Sequence, residues 1–264
     1  MIEKIKIYKA RVFIPILALS FFSKDCLLKP KQTDAEMQAY SIILNWELIR
    51  PEDGSVFNLK DTFTIVQKNK LYMYIISTPY ENSYITYDKN DSIISEKVET
   101  GVAYNYYLFK EKHALGIKYD AINAKDGIKF LVDSLINAKI FFKSGINLDS
   151  NYQLNRKVRL TKFSDAEIYQ GKNKKDENAP DSIYLFFSSN FDKVPYRFSE
   201  KLDSTHQKKL FKIQIIYNPL KSKKYSFPIP RRELLFEMKK TPIPHQKSIN
   251  NLFRRFEETQ PGIK

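Results

Sequence analysis

Apolar residues in this chain come in short runs broken by polar turns. AYSIILNWELI (39–49) ends at the turn cluster Pro51-Glu52-Asp53-Gly54. Thr62–Gln67 carries Phe63, Ile65 and Val66. It is followed by Lys68-Asn69-Lys70 and then by the strongly β-forming LYMYIIS (71–77), the pattern of a hairpin. Runs at 83–87, 92–98, 102–109 and 114–120 continue the series, with Asp88-Lys89-Asn90-Asp91 as a further turn. Strand-like runs at this spacing predict an antiparallel meander.

The rhythm changes at 126–142. Ile128, Leu131, Val132, Leu135, Ile136 and Ile140 recur at three- and four-residue steps behind Asp126, which predicts a helix over about 126–141 lying on the sheet. Strands resume at 155–163, 166–170, 182–188 and 209–218, with a short one at 225–229. Residues 171–181 read as a loop, and 189–208 as another with room for a turn of helix. Pro230 suits the first position of a helix, and RRELLFEMKK after it sets Leu234, Leu235 and Met238 on one side. A last helix, 248–258, places Ile249, Leu252, Phe253 and Phe256 on one face, the stripe of a helix docked on its own sheet. The expected fold is mainly β with helices (α+β). It is a curved antiparallel sheet or partial barrel of about nine to eleven strands, one mid-chain helix and two C-terminal helices.

The start of the chain has a different character. MIEKIKIYKAR (1–11) is short and basic, VFIPILALSFF (12–22) is apolar, and Ser23, Lys24 and Asp25 form a polar exit. That order describes a secretory signal peptide, and the apolar run falls short of the ~20 residues a membrane-spanning helix needs. Residues 1–25 are therefore read as a signal peptide and 26–264 as a single β-rich domain, with 171–181 the alternative cut point. The protein is expected to be exported, to the periplasm, the outer envelope or the medium. Cleavage fits after Ser20 or Ser23. Cys26 is a candidate lipid attachment site, although Lys24 and Asp25 stand where that chemistry wants small residues. Membrane attachment would follow only if Cys26 is lipidated.

Composition agrees with a folded β protein. Among 264 residues, 42% are hydrophobic, and 17 Tyr and 19 Phe stand against a single Trp, a bias toward strands. With only Cys26, no internal disulfide or zinc-finger set can form. His113, His206 and His245 are isolated in polar contexts and read as exposed. No G-x-S-x-G elbow, P-loop or G-x-G-x-x-G is present, and Gly numbers only 7. Asp88, Asn90 and Asp91 read as a plain turn, lacking the glycine and distal glutamate of a calcium loop. No cofactor, metal site or catalytic residue is assigned.

Five cations against two acids in 1–25 put +3 of the formal +14 on the leader and leave +11 on the rest. Basic runs occur at Arg156-Lys157-Arg159, Lys172-Lys174-Lys175, Lys221-Lys223-Lys224, Arg231-Arg232, Lys239-Lys240 and Arg254-Arg255. No recognition motif accompanies them, so nucleic acid is not expected as a partner. An anionic envelope surface, polysaccharide or another envelope protein is. The leading reading is an envelope binding or structural module. Its alternatives are a carrier of an apolar or lipid ligand in a β-cup lined by Tyr and Phe, and an enzyme whose carboxylates are assembled in space.

The segment DSIYLFFSSNFDKVPYRFSEKLD (181–203), followed by KLFKIQIIYNP and a lysine-rich end, resembles the later half of the GLPGLI family, small exported bacterial proteins of unknown function. The resemblance implies export and a strand-rich fold. The family's namesake string is replaced here by Phe198-Ser199-Glu200-Lys201-Leu202-Asp203, so it transfers no site residue.

Residues 1 to about 23 are expected to be missing from the native protein. N-terminal sequencing of envelope material checks this, and an intact Met1 in a cytoplasmic fraction defeats it. Palmitate labelling that depends on Cys26 would mark the lipidated form.

Overall fold

The computed structural model describes residues 36–89, 92–139, 146, 148, 151–172, 179–221 and 227–259. The leader and Cys26 lie outside the described residues. The first six strands are β1 (Gln38–Ile49), β2 (Val56–Lys68), β3 (Leu71–Tyr87), β4 (Ile93–Lys110), β5 (Leu115–Tyr119) and β6 (Ile128–Leu131), followed by α1 (Val132–Lys139). The second series is β7 (Tyr152–Arg159), β8 (Ser164–Gly171), β9 (Ser182–Ser188), the 3-10 turn Ser189–Phe191, α2 (Glu200–His206) and β10 (Lys209–Tyr217). The chain closes with β11 (Leu220–Lys221), β12 (Pro228–Ile229), β13 (Arg232–Thr241) and α3 (Gln246–Thr259).

Eleven strands form one open antiparallel sheet, in the order β6-β5-β4-β3-β2-β1-β13-β10-β9-β8-β7, while β11 and β12 pair separately. Two meanders thus meet where β1 pairs β13, from Ala39 opposite Thr241 to Trp46 opposite Leu234. Alternation then sorts the side chains. Tyr40, Ile42, Leu44, Phe63, Ile65, Tyr72, Tyr74, Ile213, Phe236 and Met238 share one face, here the core face. It is covered by the β9–β10 connection, which inserts Val194, Tyr196 and Phe198, and by Val132 of α1. On the opposite face, Ala39, Val66, Leu71, Met73, Tyr106, Leu108 and Tyr119 receive Ile249, Leu252, Phe253 and Phe256 of α3. The stripe read from the sequence is therefore the docked one. Arg255 Nη2 also donates to the Ile122 carbonyl at 2.8 Å, and Lys68 Nζ to Asn250 Oδ1 at 2.8 Å.

Two helical readings are corrected. RRELLFEMKK is strand β13, so one helix rather than two follows residue 229. Its apolar positions also alternate, Leu234, Phe236 and Met238, and that period prevails because β1 and β10 offer hydrogen-bonding partners on both sides. The mid-chain helix is shorter than the 126–141 expected. Ile128–Leu131 pairs with β5 as β6, and helix is confined to Val132–Lys139. Here too a sheet edge with unpaired backbone groups captured residues whose spacing suited a helix. Ile140 lies outside the described residues.

Phe253 and Phe256 are 0% and 1% exposed. Phe253→Ala and Phe256→Ala should each cost about 3–5 kcal/mol in urea unfolding. Arg254→Ala, at an exposed position that faces Glu258 at 3.8 Å, should stay within about 0.5 kcal/mol. Equal, small effects from all three would mean that α3 is not docked.

Candidate interaction surface

The hairpin β3–β4 runs far past the rest of the sheet. It pairs continuously from Leu71 opposite Lys110 to Thr86 opposite Ser95, with a bulge before Tyr87 opposite Ile93. β2 follows β3 only as far as Ile76, and β5 follows β4 only from Tyr106. Beyond these points the two strands form a ribbon about 35 Å long at ~3.3 Å per residue, with no further strand on either edge among the described residues. Between Thr78 and Tyr104 every described residue is exposed except the partly covered Asp88 and Gly101. Within the ribbon, Tyr80 lies across Gly101. A Cβ there would stand 2.6 Å from the tyrosine ring, so a larger residue at this position would displace the exposed Tyr80 side chain. At the tip, Asp88 Oδ1 accepts the Ser92 N–H at 2.9 Å, while Asn90 and Asp91 lie outside the described residues.

The two faces of this arm differ. The face continuous with the α3 side carries Pro79, Ile85, Tyr87, Ile93, Val98, Val102 and Tyr104. Val98, Val102 and Tyr104 are about half exposed, at 50%, 52% and 51%. Among the described residues the only charges on that face are Glu81 and Glu96. Over 77–105 the sequence has five acids (Glu81, Asp88, Asp91, Glu96, Glu99) against Lys89 and Lys97, a net −3 on a chain of net +14. An apolar, acidic limb thus projects from a basic protein. Such a surface is suited to contact with apolar and cationic groups.

A second polar feature lies on β8 and α2. Asp165, Glu167 and Tyr169 alternate onto the core face, so the sheet turns charge inward near its β7 edge. The Glu167 side chain is 4% exposed and lies 2.5 Å from Lys157 Nζ and 3.5 Å from His206 Nε2. It also accepts a hydrogen bond from the Tyr169 hydroxyl at 2.7 Å. Burial works to raise the Glu167 carboxyl, but the hydrogen bonds from Lys157 and Tyr169 and the His206 charge outweigh it and hold it below its ordinary value. His206 stacks on Phe187 at 3.8 Å between centroids. Burial lowers its pKa against the opposing pull of Glu167. Near neutral pH, Lys157 therefore supplies the cation Glu167 requires. Next to this group, a cleft of about 330 Å³ is bordered by Tyr152, Tyr169, Leu202, Thr205 and His206.

Asp203, one turn before His206, holds the chain where it enters β10. Its Oδ1 accepts the Leu210 N–H at 2.8 Å, and its Oδ2 lies 3.5 Å from Lys209 Nζ. Lys209 Nζ donates to the Tyr196 carbonyl at 3.2 Å. Burial raises the Asp203 pKa and lowers that of Lys209. These groups fasten the β9–β10 connection over the core. Asp192 and Lys209 also border a mixed cleft of about 640 Å³, with Tyr72, Phe109, Val132 and Arg197.

The residues singled out from sequence are scattered. His113 is exposed in the β4–β5 turn and His245 is exposed before α3. His206 is corrected from exposed to half-buried. Its environment was hidden because Phe187 and Glu167 are distant in sequence. Of the basic runs, Arg156-Lys157-Arg159 lies on β7, Arg232 and Lys239-Lys240 on β13 and Arg254-Arg255 on α3; Lys172 follows β8 and Lys221 ends β11, while Lys174, Lys175, Lys223 and Lys224 lie outside the described residues. Among the described residues, no group of three or more His, Cys, Asp or Glu is placed to hold a metal, and no helix is long and apolar enough to cross a membrane. No family model matches the chain, and no curated protein matches its sequence.

The lowered His206 pKa means that the unfolded chain takes up this proton first as pH falls. Stability should be full above the unfolded value near 6.5 and decline as pH drops through the folded one. Glu167 acts in the same direction at lower pH, because its folded pKa is also depressed. Urea midpoints should thus fall between about pH 7.5 and 5.5, and His206→Gln should flatten the profile in that window. An identical slope in both proteins would remove His206 from the account.

Proposed function

We propose that this chain is an exported binding module of the cell envelope whose contact element is the β3–β4 arm, and that its partner is a protein. The observation that carries the reading is the ordered ribbon at 78–104 with its exposed apolar stripe. Isolated two-stranded ribbons are marginal in water, and a long ribbon whose apolar side faces solvent has its natural complement in another surface. We read the open sheet as a partial barrel, with α1 and the β9–β10 connection across its core face. Export and an envelope location follow from the leader, and the GLPGLI resemblance points the same way.

The alternatives have less support. A carrier needs an apolar cup, yet Val194, Tyr196 and Phe198 fill the core face, and the cleft beside them is mixed, with Asp133, Asp192, Lys193, Arg197 and Lys209 among its lining. An enzyme needs carboxylates available to a substrate. Glu167 is engaged by Lys157 and Tyr169, and Asp203 by a backbone amide.

The test is a photo-crosslinking residue placed at Val98 in the producing cells. Protein adducts in the envelope fraction are expected there, with none from a control at Leu59, which is exposed on the body. Val98→Lys with Val102→Lys should abolish the contact and shift stability by less than about 1 kcal/mol. Adducts to lipid alone, or none, would overturn the reading.

A further inference from the structure

We propose that the partner of the arm is a second copy of this chain, which receives it along the free edge of β7. The proposal rests on the arm being a contact element and names what it contacts. Among the described residues β7 is an edge strand, paired only with β8. From Tyr152 to Phe163 the sequence has four cations, Arg156, Lys157, Arg159 and Lys162, and no acid. All four are exposed, and Leu154, Leu160 and Phe163 are exposed beside them at 43%, 49% and 45%. This edge is basic and apolar; the arm is acidic and apolar. The chain therefore carries both halves of a complementary pair.

The two edges of the arm are unequal. β3 has Pro79, which cannot donate to a new ladder. β4 has no proline over 93–105, so it is the strand able to extend another sheet. Its acids stand at Glu96 and Glu99, three apart, and the cations Arg156 and Arg159 of β7 are also three apart. Antiparallel addition with Glu96 opposite Arg159 sets Glu99 opposite Arg156, satisfying both pairs in one register. It places Lys97 opposite Val158 and Val98 opposite Lys157, so no like charges meet. Cations on an edge strand ordinarily discourage pairing with other strands; an acidic strand is the one they admit. Because donor and acceptor surfaces differ, reciprocal exchange would close a dimer and one-way exchange would build longer chains.

Sedimentation of the purified protein over a range of concentrations tests this, using two charge-reversed variants. Glu96→Lys/Glu99→Lys alters only the arm, and Arg156→Glu/Arg159→Glu only the edge; Lys157 is left in place because it holds Glu167. The wild type should associate as concentration rises, with weakening of about tenfold or more in each variant. An equimolar mixture of the two variants should recover association, because each then finds its complement. Melting curves matching the wild type establish that both variants are folded. Should either unfold, Val98→Lys/Val102→Lys for the arm, which sets a cation opposite Lys157, or Leu154→Asp for the edge, replaces it with the same expected loss. A wild type that stays monomeric, or a mixture no more associated than its components, overturns the proposal. If Val98 then still crosslinks to a different envelope protein, the arm remains a contact element and only the self-docking falls.

Discussion

The pairing of β1 with β13 is the contact on which the rest of this structure depends. It joins strands about 200 positions apart, at the cost of closing a long loop before any reward is gained. Ile42 and Leu44, wholly buried, lie opposite Met238 and Phe236, so the seam between the meanders is also the middle of the core. Directly after β13 the chain turns into α3. The helix therefore has to land on the β1–β4 half of the opposite face, where Val66, Met73 and Leu108 await it. That same half roots the arm, since Ile75 and Tyr106 belong to the cluster under α3. The packed helix thus fixes the base of a ribbon whose outer part has no core of its own.

The other meander solves a different problem. Its end strands β7 and β8 turn Lys157, Glu167 and Tyr169 to the core face, where apolar side chains would be expected from the neighbouring strands. Burying Glu167 is tolerable only because a cation and a phenol meet it there. The long β9–β10 connection is held by similar means. Asp203 accepts a backbone N–H of β10, Asp192 accepts another at 3.2 Å, and Lys209 reaches the Tyr196 carbonyl. Once pinned, the connection delivers Val194, Tyr196 and Phe198 to the sheet, and what looks in sequence like a polar loop becomes the cover of the core.

How much of this was legible follows from what each signal measures. Alternation measures a strand with one wet face, so β1, β2, β9 and β10 were readable. The amphipathic stripe of α3 was readable for the same reason. β13 satisfies both periods, and only its position between two partners decides. In sequence the hairpin looks like four short strands, 71–77, 83–87, 92–98 and 102–109, with Pro79 and Gly101 in the gaps between them. They are instead near-neighbours across one hairpin, with Pro79 opposite Val102 and Tyr80 opposite Gly101. Nothing local distinguishes Tyr74, buried against Phe63 and Phe109, from Tyr84, which is 53% exposed. That difference comes from where β2 stops following β3. The Glu167–His206 group was illegible for a similar reason, since its members come from β7, β8 and α2.

The charge of the chain acquires meaning only once it is placed on this fold. A uniform excess of +14 would describe a solvated basic surface and little more. Here the acids of 77–105 are concentrated on the limb that has the least packing, while 152–163 concentrates cations on a strand with an open edge. Each segment alone follows a familiar defensive rule, charge placed where backbone hydrogen-bonding groups are unsatisfied. Opposite signs on two strands of one chain that each have an open edge have a further consequence. The deterrent works between two arms, or between two β7 edges, because like charges would meet. It fails between an arm and an edge, where the same charges attract. The pattern therefore excludes the symmetric encounters and leaves the asymmetric one open.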